Sequence, residues 1–275
     1  MSNQKVDEIE IELLLEGILR VYGYDFRHYA RSSLRRRLDS ILNDLSLKNY
    51  SQLQELVLHD ERVFNKFLLR MSITVTEMFR DPDFYQVFIN DVIPVLKTYP
   101  YLKIWHAGCA TGEEVYSMAI ILHEAGLLER ATIYATDFNN DAIQKAKEGI
   151  YSEKEIIEYE KNYIQAGGKS QFSEYYHSKY GAAKLSGFLK KKITFANHNL
   201  VTDKVFGEMN VILCRNVMIY FNSELQDTVL KLFRDSLCKL GYLCLGSRET
   251  LDFSTVSEDF TRINESLKIY RKARR

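Results

Sequence analysis

The segment Ile104-Trp105-His106-Ala107-Gly108-Cys109-Ala110-Thr111-Gly112-Glu113-Glu114 constrains the fold more than any other stretch of the chain. An apolar run feeds a glycine turn, and the turn feeds a helical pattern over Glu113–Ala125. Strand, tight turn and helix in that order open a βαβ unit. The alternation continues downstream. Ala131–Thr136 reads as a second strand and Asn139–Lys147 as a second helix. Asn210–Cys214 reads as a buried strand, Ser223–Lys239 as a helix, and Tyr242–Gly246 and Leu267–Arg271 as closing strands. Upstream, Asp81–Lys97 reads as a helix with Asp81 as cap and Pro82 in first position. Such a pattern predicts an α/β fold with a mostly parallel sheet and helices on both faces.

Residues 1–70 show only the helical period. Leu34, Leu38, Ile41 and Leu45 are spaced by four, three and four and form one apolar stripe. We therefore expect a small all-helical domain over 1–72 and an α/β domain over 73–275. The stretch from Tyr151 to Lys192 breaks the alternation: it is polar and Tyr-rich, contains Gly167-Gly168 and ends in Lys190-Lys191-Lys192. It reads as an inserted subdomain, about 152–192, carrying a helix and a small hairpin. With 275 residues, 46% hydrophobic and 27% charged, the chain can bury a large core. Its 37 Lys+Arg balance 37 Asp+Glu, which argues against a polyanion binder acting through net charge. No apolar run approaches the ~20 residues of a membrane span. Asp7, Glu8, Glu10 and Glu12 interrupt the N-terminus, so no secretory signal is read and the cytoplasm is the expected compartment. Cys109, Cys214, Cys238 and Cys244 form no C-x-x-C pair; they read as reduced thiols, and no metal site is expected.

The glycine turn narrows the ligand. Gly108 and Gly112 are four apart, which fits neither G-x-G-x-x-G nor a P-loop. Glu113 and Glu114 open the helix and would repel a pyrophosphate there; a cationic or zwitterionic ligand suits the turn better. Asp137 ends the next strand, where an acidic side chain accepts ribose hydroxyls. The alternative for Asp137 is a helix cap before Asn139. A ribose together with a positive centre describes S-adenosylmethionine, which carries a sulfonium and an α-ammonium.

Five segments bear a resemblance. They are Thr76-Glu77-Met78-Phe79-Arg80, Gly108-Cys109-Ala110-Thr111-Gly112-Glu113-Glu114-Val115-Tyr116-Ser117, Ala135-Thr136-Asp137, Asn197-His198-Asn199-Leu200 and Cys214-Arg215-Asn216-Val217-Met218-Ile219-Tyr220-Phe221. From about Met71 onward the chain resembles the CheR-type chemotaxis receptor methyltransferases, which methylate glutamate side chains. The resemblance implies a Rossmann-like S-adenosylmethionine-dependent domain behind a helical N-terminal one, with S-adenosylhomocysteine as product. By position it implies a donor site of Thr74, Thr76, Arg80, Gly108, Glu113, Asp137, Asn199, Leu200, Arg215 and Asn216. Glu113 would take the ammonium, Arg80 the carboxylate, Asp137 the ribose, and Asn199 with Leu200 the adenine. Tyr220 is the expected catalytic residue, orienting the incoming carboxylate.

The sequence departs from the family at Thr74, Met78 and Val115. A family arginine before the first strand has Lys97 and Lys103 as its nearest counterparts. Arg27, Arg31 and Arg35, spaced by four, form a candidate docking strip; from Arg20 to Arg37 there are six Arg and one acid. The resemblance implies an acidic helical segment of a chemoreceptor-like protein as the partner. Two other readings stay open: a non-catalytic S-adenosylmethionine-binding signalling module, and a nucleic-acid methyltransferase, which the absence of Asn-Pro-Pro-Tyr and Pro-Cys opposes.

Overall fold

The computed structural model describes residues 3–72, 75–205 and 207–274. They fall into two compact units. The first contains α1 (Asn3–Tyr22), α2 (Arg31–Asp44), α3 (Tyr50–His59) and α4 (Glu61–Met71). Each helix buries one stripe. Ile11, Leu14, Leu15 and Ile18 of α1 meet Leu34, Leu38 and Ile41 of α2, Leu53 and Val57 of α3, and Phe64 and Phe67 of α4 in one buried core. Asn49 and Asp60 cap α3 and α4 with their side chains. Val201–Asp203 and Ile219–Val229 cluster with these helices, although the sequence reading assigned both to the α/β domain. Backbone pairing is the reason for the second segment: Ala30 N–H donates to the Tyr220 carbonyl (2.8 Å), Asn222 N–H to His28 (2.9 Å), and Tyr29 bridges Phe221.

The second unit begins with α5 (Pro82–Val87) and α6 (Ile93–Leu96), joined by a π turn over Phe88–Val92. The sequence predicted one helix here. Pro94 has no N–H for an i→i−4 bond, and the wider turn lies just ahead of it. Then come β1 (Leu102–Ala107), α7 (Glu113–Glu124), β2 (Ala131–Asp137) and α8 (Asn140–Glu148). The insertion is β3 (Ile150–Ser152), α9 (Glu153–Gln165), β4 (Tyr176–Lys179), β5 (Ala182–Leu185) and α10 (Gly187–Lys190). It holds a separate antiparallel sheet of order β3-β5-β4. Its hairpin turns on Tyr180 and Gly181, both at positive φ, as a type I′ turn requires. The chain finishes with β6 (Ile193–Asn197), β7 (Met209–Cys214), α11 (Ser223–Ser236), β8 (Leu237–Leu245), β9 (Phe260–Asn264) and β10 (Ile269–Lys272).

The main sheet has the order β6-β2-β1-β7-β8-β10-β9. Its first five strands are parallel, and β10 runs antiparallel to β8 and β9. The alternation predicted this mostly parallel α/β sheet, and the architecture is Rossmann-like, as the resemblance implied. Trp105 sits fully buried in β1, donating from its indole N–H to Thr136 Oγ1 at 2.8 Å. The sequence reading missed β6 and β9. Both are edge strands and mostly exposed or half-buried, so neither shows the continuous apolar run of a central parallel strand. No described helix is long and apolar enough to cross a membrane.

Candidate functional site

Parallel pairing fixes which residues share the carboxyl edge of the sheet. Ala107 pairs with Thr136, Asp137 with Asn197, and His106 with Leu213. Gly108, Asp137, the turn after Asn197 and Arg215 therefore lie just beyond neighbouring strand ends, where open α/β sheets bind ligands. The turn after β1 needs its glycines. Gly108 has φ +81°, and a Cβ there would lie 2.5 Å from Val217 Cγ2. Gly112 has φ +94°, and a Cβ there would lie 2.8 Å from that of Ala146. Asp137 stitches the turn to the strand end. Its Oδ2 accepts from Ala110 N–H and its Oδ1 from Asn139 N–H, each at 2.9 Å. Burial pushes the Asp137 carboxyl up, while these backbone donors pull it back. A carboxylate has about four acceptor directions, so room remains for a hydroxyl pair. The capping alternative does not hold: Asn139 caps α8, accepting from Asp141 and Ala142 N–H.

Adjacent glutamates at the start of α7 have opposite fates. Glu113 is 4% exposed and forms no ion pair among the described residues. Thr111 Oγ1 lies 2.9 and 2.7 Å from its two oxygens, and Tyr159 OH lies 3.4 Å from Oε1. Burial pushes the Glu113 carboxyl up to about 7, against the Thr111 hydrogen bond. Glu114 is half-buried, and its desolvation works to raise it. The hydrogen bond from His106 Nδ1 (3.0 Å) and the Arg215 guanidinium (3.1 Å) nevertheless hold it below the usual carboxylate range.

Arg215 is the hub of this edge. Its Nη2 donates to Asp81 Oδ2 (2.6 Å) and to the Arg80 carbonyl (3.1 Å), and its guanidinium lies 4.1 Å from the Phe84 ring centroid. Both terminal nitrogens of the guanidinium are thus committed to protein groups. Asp81 occupies the cap position of α5 as expected, but its side chain makes no capping bond and serves Arg215 instead. Arg80 stands between two left-handed residues, Phe79 (φ +55°) and Asp81 (φ +59°). Ser117 Oγ accepts from Phe79 N–H at 2.9 Å and donates to the Glu113 carbonyl at 2.8 Å. This link holds Arg80 near the start of α7. The Arg80 side chain is half-buried and has no ion partner among the described residues.

Thr76 is half-buried on the same segment, and Thr74 lies outside the described residues. Asn199 is half-buried and Leu200 is buried beyond β6, next to His198, whose N–H donates to the Asp137 carbonyl (3.2 Å). Asn216 takes φ +63°. Its N–H, with those of Val217, Met218 and Gly246, donates to one carboxylate, that of Glu249, at 2.6–3.0 Å. Sequence reasoning missed Glu249. Its only local signal is an acid three residues after the glycine at the end of β8.

The remaining basic residues singled out in the sequence take the following places. Lys103 is the second residue of β1, at the end of the strand opposite the carboxyl edge, and Lys97 follows α6; both are exposed. In the helical unit, Arg27, Arg31 and Arg35 are not an open cationic strip. Arg35 pairs with Asp7 and Glu8, Arg31 with Glu8 and Glu12, and Arg27 with Glu16 and Asp25, at 2.6–3.8 Å. The acids of α1 recur every four residues and run antiparallel to the arginines. Tyr220 belongs to the same unit, where the Arg37 guanidinium stacks 4.5 Å from its ring centroid.

A buried carboxylate that forms no ion pair among the described residues, beside a glycine turn and a strand-end aspartate, suits a ligand that brings positive charge and a ribose. On a Rossmann-like sheet this defines an S-adenosylmethionine-dependent methyltransferase. Residues 74–268 match the CheR methyltransferase SAM binding domain, and residues 9–72 match the CheR methyltransferase all-alpha domain. The chain belongs to the CheR methyltransferase family. It is 49% identical over 273 residues to the Pseudomonas putida protein Cher3, covering 99% of this chain and 100% of that one. It is 29% identical over 244 residues to a chemotaxis protein methyltransferase of Listeria innocua (85% and 87% covered). It is 27% identical over 265 residues to one of Borreliella burgdorferi (90% of each).

Proposed function

We propose that the protein transfers a methyl group from S-adenosylmethionine to glutamate carboxylates of a chemoreceptor-like protein, giving glutamyl methyl esters. The observation that carries the donor half is the buried, cation-free carboxylate of Glu113. The acceptor half draws on the family and on relatives named chemotaxis protein methyltransferase. The donor supplies an electrophilic methyl on a sulfonium with a neutral thioether leaving group. Glu113 pairs with its ammonium, Arg80 with its carboxylate and Asp137 with its ribose, while Asn199 and Leu200 flank the adenine. Gly108 and Asn216 shape the walls, and Arg215 holds Arg80 in position through its carbonyl. Thr74 and Thr76 belong to the donor set that the family resemblance implies.

An acceptor glutamate, with a pKa of ~4.3, is already ionised at neutral pH, so no general base is required. Rate enhancement then comes from positioning, which can supply up to ~7–11 kcal/mol. Tyr220 is the residue assigned to orient the acceptor. Tyr220→Phe is expected to lower kcat several-fold and leave S-adenosylhomocysteine affinity unchanged; equal losses in both would make Tyr220 structural. Asp137→Ala is expected to weaken S-adenosylhomocysteine binding by about 1–3 kcal/mol through a lost charged hydrogen bond. Calorimetric affinity equal to wild type would refute the ribose assignment.

The partner is an acidic helical segment. Exposed ion pairs contribute little to stability, so the pairs that α1 makes with Arg27, Arg31 and Arg35 can exchange for those of an incoming helix. Tritiated S-adenosylmethionine and receptor-rich membranes test the whole reading. Label released as methanol by mild alkali is expected. Alkali-stable label would overturn the ester assignment, and unlabelled receptor would favour a non-catalytic module.

A further inference from the structure

We propose that Tyr159, carried by the inserted subdomain, is a positioning residue for donor binding: its hydroxyl holds one oxygen of the Glu113 carboxylate in place for the ligand's ammonium. The inference rests on the reading of Glu113 as the ammonium partner. Tyr159 is 3% exposed, and its OH lies 3.4 Å from Glu113 Oε1. Thr111 Oγ1 is the other hydroxyl on Glu113, within reach of both oxygens. A hydroxyl has one proton and donates to one oxygen at a time, so Tyr159 adds to what Thr111 and the Glu113 backbone N–H supply.

The insertion braces the site at two further points. Tyr151 OH donates to the Thr111 carbonyl at 2.9 Å, and its ring meets that of Tyr159 edge to face at 5.7 Å. Asn162 Nδ2 donates to the Met78 carbonyl at 3.1 Å, two residues before Arg80. One helix, α9, thus touches the glutamate expected to take the ammonium and the segment bearing the arginine expected to take the carboxylate.

The titratable groups facing Glu113 are Glu155 and Tyr159 of α9, Tyr151 of β3, Tyr116 of α7 and Cys109 of the glycine turn. None is a cation, and Glu77 adds a further acid facing Tyr159. With no positive neighbour, the Thr111 hydroxyl, the Glu113 backbone N–H and the Tyr159 hydroxyl are what favour the charged carboxylate over the neutral acid. Loss of the Tyr159 hydroxyl should therefore change the pH at which the site accepts an ammonium, and a packing role alone would not.

The test is calorimetry from pH 6 to pH 8.5 on the full chain, using S-adenosylhomocysteine and methylthioadenosine, which has the adenosyl group but no ammonium. Tyr159→Phe is expected to move the midpoint for S-adenosylhomocysteine upward by about half a pH unit. Near pH 6.5 that reads as roughly two- to threefold weaker binding, converging with wild type at pH 8.5. Methylthioadenosine affinity should not change. Glu155→Gln, which removes a negative neighbour, should move the midpoint the other way and keeps the test open if Tyr159→Phe folds poorly. An unmoved midpoint, or a loss equal at every pH and for both ligands, would overturn the proposal. A flat wild-type profile would instead overturn the role of Glu113, and this inference with it.

Discussion

Replacing Glu249 with alanine is expected to destabilise the α/β unit by about 3–5 kcal/mol and to abolish measurable donor binding. The carboxylate is buried and receives N–H bonds from Asn216, Val217, Met218 and Gly246, two to each oxygen. Alanine leaves all four donors without that acceptor. Glutamine should rescue poorly, because either orientation of its amide sets an NH2 group against two of the N–H donors. The same turn holds Asn216 at positive φ, a conformation that costs a non-glycine residue about 1–3 kcal/mol and persists only while its surroundings enforce it. Urea denaturation and a calorimetric titration read both effects. Near-wild-type stability in Glu249→Ala would mean that the turn is held by something else.

The second large effect is expected at Arg215. Alanine there leaves the half-buried Glu114 with His106 as its remaining partner and frees both the Asp81 carboxylate and the Arg80 carbonyl. Arg215 is buried but Asp81 and Glu114 are partly exposed to water, so its loss should cost about 1–3 kcal/mol, less than in a fully buried pair. Lysine should not restore it, because a single ammonium cannot bond Glu114, Asp81 and a carbonyl in the fixed directions of a planar fork. Donor affinity should fall as well, since Arg80 loses the bond that holds its backbone between two left-handed residues. A stable Arg215→Ala protein with intact donor affinity would show that the network is dispensable.

The parts of the site legible in the sequence are those set by local geometry. A strand period, two glycines and two acids already specify the turn from Gly108 to Glu113, and the next strand's end gives Asp137. What stayed illegible depends on long-range register. Glu249 serves a turn more than 30 residues earlier in the chain. The arginines at 27, 31 and 35 and the acids at 8, 12 and 16 each show a four-residue spacing. That they neutralise one another follows only from the antiparallel packing of α1 beside them. Tyr159 lies in an insertion whose composition reveals no relation to the glycine turn. The edge strands β6 and β9 lack a two-sided apolar pattern because they are not buried on two sides.

The donor's positive end meets a carboxyl group that burial has raised to about 7. An ammonium binds the ionised form, so occupancy lowers that value and releases a proton. Affinity must therefore climb as pH rises through the free enzyme's midpoint and level off above it. Titrating the purified protein calorimetrically with S-adenosylhomocysteine at pH 6 and pH 8 measures this directly. We expect binding about tenfold tighter at pH 8; no binding heat at millimolar ligand, or equal affinity at the two pH values, would contradict the account.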